Sequence, residues 1–113
     1  MMSAAPPFLL TREQATRLHG YLQTYRQYAL TRLLPSTERN ILLRGLQALQ
    51  GKLIEALDQP ISPLRLVLSR DEVGVLNTMV NGLLTLYGGQ ADSAERTATI
   101  NDLVALKLSL KGS

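Results

Sequence analysis

No cysteine and no tryptophan occur among the 113 residues, and phenylalanine and histidine occur once each. Without cysteine there is no disulfide framework, no thiolate metal site and no thiol nucleophile. Aromatic residues make up only 4% of the chain while leucine abounds, a balance that favours helix over sheet. No apolar run approaches the roughly 18 residues of a membrane span. The stretch from Met1 to Pro7 lacks the basic and apolar regions of a secretory signal. A cytoplasmic protein without membrane association is the expectation.

Catalytic patterns are scarce too. The lone histidine, His19, has no acid at helical spacing, and no HExxH, Glu-x-x-His or acidic triplet is present. Gly88-Gly89 lacks the following lysine of a phosphate loop. A non-enzyme with no cofactor and no metal is therefore expected. A composition of 45% hydrophobic and 19% charged residues is that of a globular chain. Its length corresponds to one domain able to bury a core unaided. The net charge of +3 sits wholly in residues 1–58, with seven basic groups against four acidic, whereas residues 59–113 hold five of each.

What the chain does contain is a repeat. Phe8-Leu9-Leu10-Thr11-Arg12-Glu13-Gln14 matches Leu66-Val67-Leu68-Ser69-Arg70-Asp71-Glu72 in chemical type at an offset of 58. The match runs on through Leu18 with Leu76, Leu22 with Val80 and Tyr25 with Leu83. At an offset of 57, Ser36-Thr37-Glu38-Arg39 then meets Ser93-Ala94-Glu95-Arg96, and Leu46, Leu49 and Leu53 meet Leu103, Leu106 and Leu110. Fixed-offset self-similarity marks a structural unit written twice.

Each unit reads as a helical hairpin. Thr11 and Ser69 are N-caps with Gln14 and Glu72 three residues on, the capping-box spacing. Apolar residues then recur at three and four: Ala15, Leu18, Leu22, Tyr25, Ala29 in helix one and Leu42, Leu46, Leu49, Leu53, Ala56 in helix two. Pro35-Ser36 separates these two, and Gly88-Gly89 ends helix three. The fold class expected is all-α: two tandem hairpins (10–58 and 68–113), a linker (59–67) and an N-terminal tail and lead-in (1–9, frayed over 1–7) forming one four-helix bundle with a pseudo-twofold. The lead-ins Phe8–Leu10 and Leu64–Leu68 invite a short two-stranded β pairing. Arg39 and Arg96 are expected to reach acidic groups such as Glu13 or Asp71.

The two copies also differ. Arg17, Tyr21 and Tyr28 in helix one correspond to Val75, Met79 and Leu86 in helix three, and Gln47 and Gly51 in helix two to Val104 and Leu108 in helix four. A helix that is apolar all round wants burial on more than one side. Val75, Met79, Leu86, Val104 and Leu108 are therefore the candidate self-association interface. Arg17, Tyr21, Tyr28 and Arg32 lie along one flank of helix one and form a candidate strip for a protein partner or nucleic acid. The expected function is a non-catalytic helical protein–protein interaction module, homodimeric through helices three and four, with an unidentified protein partner at helix one. The alternatives are a small basic nucleic-acid-associated subunit using the Arg/Tyr strip, and a bundle holding a small apolar ligand between its hairpins.

Overall fold

In a computed structural model of the chain, residues 8–60 and 63–111 are described. The start at 1–7 and linker positions 61 and 62 lie outside the described residues, as do 112 and 113. The elements run β1 (Phe8–Leu10), α1 (Arg12–Arg32), α2 (Thr37–Leu57), β2 (Leu64–Leu66), α3 (Arg70–Gly88) and α4 (Ala94–Lys111). The fold is an all-α four-helix bundle carrying one small antiparallel sheet.

Helix starts are set by local hydrogen bonds, and these bonds repeat at the offsets of the sequence. The Thr11 hydroxyl accepts from the Gln14 amide while the Gln14 side chain accepts from the Thr11 amide; Ser69 and Glu72 do the same 58 residues later. Such reciprocal caps satisfy two amides that a helix end would otherwise leave unpaired. Ser36 and Ser93, 57 apart, accept from the Arg39 and Arg96 amides at 3.0 Å. In the sheet, Phe8 faces Leu66, its own counterpart in the other copy. A residue opposite its own repeat partner is what a twofold axis through that pair requires.

The helix ends are tied by arginines rather than by acids. Arg12 at the start of α1 donates to the carbonyls of Leu57 and Gln59 at 2.7–3.1 Å, closing the end of α2. Arg39 donates to the Leu33 carbonyl, and Arg96 to the carbonyls of Tyr87 and Gly88 and to Asp92. This corrects the expectation that Arg39 and Arg96 reach Glu13 or Asp71. The carbonyls at the end of the preceding helix carry partial negative charge, and the acid that Arg96 does meet is Asp92, just before its own helix.

The core comprises the inner faces of all four helices, with Phe8, Leu10, Leu64 and Leu66 of the sheet closing one side. Its centre is α3, which packs against α4, α2 and α1. Two glycines set how closely it approaches. A Cβ on Gly82 would lie 2.5 Å from the Tyr25 ring of α1, and one on Gly45 of α2 would lie 2.7 Å from Cγ2 of Val75. The apolar girth of α3 is thus largely satisfied within one molecule.

Candidate functional site

Of the five apolar residues expected at an outer face, the structure separates two from the rest. Met79 has no exposed surface and belongs to the core, a correction that follows from the central place of α3. Val75 is half-buried against Gly45 in the α2–α3 junction. Leu86 remains partly exposed near the end of α3. Val104 and Leu108 stand outward on α4, at 42% and 62% exposure.

These last two belong to a longer surface. Ala94, Thr97, Ala98, Asn101, Val104, Ala105 and Leu108 are all exposed and fall at the three-and-four spacing of one helix face. Over about 21 Å at 1.5 Å per residue, that face carries no charge. Small residues fill its first half and branched aliphatics its second. The matching face of α2, from Thr37 to Gly51, carries Arg44 where α4 has Asn101. Beside the second half lies Leu9, half exposed, which lines a small cavity together with Ala105 and Ser109.

The strip on α1 is turned largely to internal use. Arg17 donates from Nε to Asp102 Oδ2 at 3.0 Å and from Nη2 to Oδ1 at 3.3 Å, and the Tyr21 hydroxyl donates to Oδ2 at 2.6 Å. The hydrogen bond to Asp102 raises the guanidinium pKa further above its ordinary value. Burial first, and then the neighbouring carboxylate, pushes the Tyr21 hydroxyl well above the usual tyrosine value. Tyr28 is half-buried and stacks on Tyr25, with ring centroids 5.6 Å apart at an interplanar angle of 27°. Arg32 and Arg17 stay exposed, the latter with its guanidinium on Asp102.

Asp102 was missed as the third member of that cluster, although the repeat contains the signal. Arg17 and Asp102 occupy the positions of Val75 and Gly45 in the other copy, so the two junctions are equivalent places built differently. The α2–α3 junction closes as valine on glycine; the α1–α4 junction is spanned by a guanidinium and a carboxylate. A second exchange accompanies the first. Lys52 Nζ donates to Glu72 and to the Val67 carbonyl, both at 2.8 Å. Burial alone would raise the Glu72 carboxyl, but the bonds from Lys52 and from the Ser69 amide outweigh it and hold the group below the usual carboxylate range. The counterparts of Lys52, Glu72 and Val67 are Ser109, Gln14 and Leu9, which line the cavity of about 60 Å³ between α1, α4 and β1.

No helix among the described residues is long and apolar enough to cross a membrane. Compared with protein-family models, with curated proteins and with solved structures, the chain matches none.

Proposed function

We propose that this chain is a non-catalytic helical interaction module of the cytoplasm that self-associates through the outer face of α4. The observation that carries the proposal is the uncharged, exposed face from Ala94 to Leu108, facing solvent on a helix whose inner side already supplies Leu103 and Leu110 to the core. Its small residues would let a second helix approach closely, and Val104 and Leu108 would act as the anchors. At their present exposure these two side chains would each contribute about 0.5–1.5 kcal/mol on burial. Set against the cost of association, that describes a weak dimer populated at high concentration.

Sedimentation velocity over a range of concentrations tests the reading. The intact chain should shift from monomer to dimer as concentration rises, and Leu108→Glu should remain monomeric with an unchanged helical spectrum. A chain monomeric at every concentration would refute it. The nucleic-acid alternative would have to use Arg17 and Tyr21 while both are hydrogen-bonded to the Asp102 carboxylate.

A further inference from the structure

The two junctions that the repeat makes equivalent are built differently. Arg17 and Asp102 span the α1–α4 junction. Beside the α2–α3 junction, where the same positions hold Val75 and Gly45, an open groove of about 710 Å³ runs along the first halves of both helices. Ile41, Leu42 and Val75 give it apolar walls. Gly74 leaves one side open, because a Cβ there would meet nothing within 4 Å. Ile41 is 60% exposed.

The charge at the groove runs against that of the whole molecule. Glu38, Asp71 and Glu72 line it against the single cation Arg70, in a chain whose net charge is +3. Lys52 neutralises Glu72 from outside the lining, which leaves Glu38 and Asp71 against Arg70. Glu38 and Asp71 remain as exposed carboxylates at the two ends of an aliphatic trough. We propose that the α2–α3 groove is the docking site for a cationic amphipathic helix of a partner protein. That helix would set branched aliphatic side chains against Ile41, Leu42 and Val75 and place Lys or Arg beside Glu38 and Asp71. This is helix-in-groove recognition, with anchors at the i, i+3/i+4, i+7 spacing. Complementary charge at the rim selects the partner and steers its approach. The surface is distinct from the outer face of α4, so the two associations do not compete.

The test is a titration of the full chain with a synthetic helix of about 16 residues, built only of Leu at that spacing and Lys elsewhere. Its twin carries Glu in place of Lys. The Lys peptide should bind, more weakly as salt rises, and the Glu peptide at least about tenfold less well. Ile41→Glu should weaken binding about tenfold although it adds a negative charge. Ile54→Glu, a matched change at a 56% exposed position of α2 outside the groove, should leave it unchanged. Gly74→Leu, which projects a side chain into the trough, should block binding while keeping the fold. Equal binding of the two peptides, equal effects at Ile41 and Ile54, or no binding at all would overturn the proposal.

Discussion

A methyl group added at position 45 probes a close helix contact that the repeat has built on one side only. Gly45 lies inside α2, where replacing glycine by alanine ordinarily gains about 0.8–1 kcal/mol through backbone propensity. Here the new Cβ would stand 2.7 Å from Val75 Cγ2 and 3.4 Å from Cγ1. Non-bonded carbons settle at roughly 3.5–4.0 Å, so the overlap with Cγ2 approaches about 1 Å. Valine in a helix has one strongly preferred rotamer and cannot swing clear. The helices must part instead, at a junction also tied by Lys52 and Glu72. Overpacking of this kind costs about 1–3 kcal/mol. Gly45→Ala should therefore lower stability by about 0–2 kcal/mol in the intact chain, after the propensity gain is subtracted. In a Val75→Ala background the clash is gone and the same change should raise stability by about 1 kcal/mol. Urea unfolding followed by far-ultraviolet circular dichroism gives all four corners of the cycle, with a coupling of about 1–3 kcal/mol expected. Gly20→Ala and Gly51→Ala serve as controls, since a Cβ at either meets nothing within 4 Å, and both should stabilise. If Gly45→Ala stabilises the intact chain as much as it does the Val75→Ala chain, the close-approach reasoning fails.

Two further outcomes follow from the polar ties. Asp102→Ala should cost about 1 kcal/mol, mostly from the orphaned Tyr21 hydroxyl, and should lower the Tyr21 pKa only partway, because burial still raises it; tyrosine absorbance titration measures this. Glu72→Gln keeps the capping box, as Gln14 does in the first copy, but loses the ion pair with Lys52. The folded Glu72 value is depressed, so its contribution is present above the unfolded value of about 4.3 and fades as pH falls through the folded one. The wild-type advantage in urea, about 0.5–1 kcal/mol at neutral pH, should therefore vanish in acid. A difference that persists there would show that charge is not its source.

The fold was legible because its determinants are local. Caps at Thr11, Ser36, Ser69 and Ser93 and the three-and-four spacing of leucines act within one helix turn, and a duplicated sequence repeats them in register. Met79 was misplaced because periodicity tells how much of a helix is apolar but not how many neighbours share it; α3 has three. Asp102 lies 85 residues from Arg17 and 81 from Tyr21, a separation across which no local pattern operates. Aligning the copies does carry that information, since Arg17 for Val75 together with Asp102 for Gly45 is a paired exchange. The arginine ties at Leu57, Leu33 and Tyr87 were illegible for another reason: their acceptors are backbone carbonyls, which every residue possesses.

A single cysteine at Val104 gives the most direct test of self-association through α4, because the natural chain has no cysteine to compete. Val104→Cys and its repeat counterpart Gln47→Cys, both at exposed positions, are treated with a short bismaleimide and the covalent dimer is quantified. The α4 interface predicts ready cross-linking through position 104 and little through position 47. Equal yields, or none at 104, would contradict it.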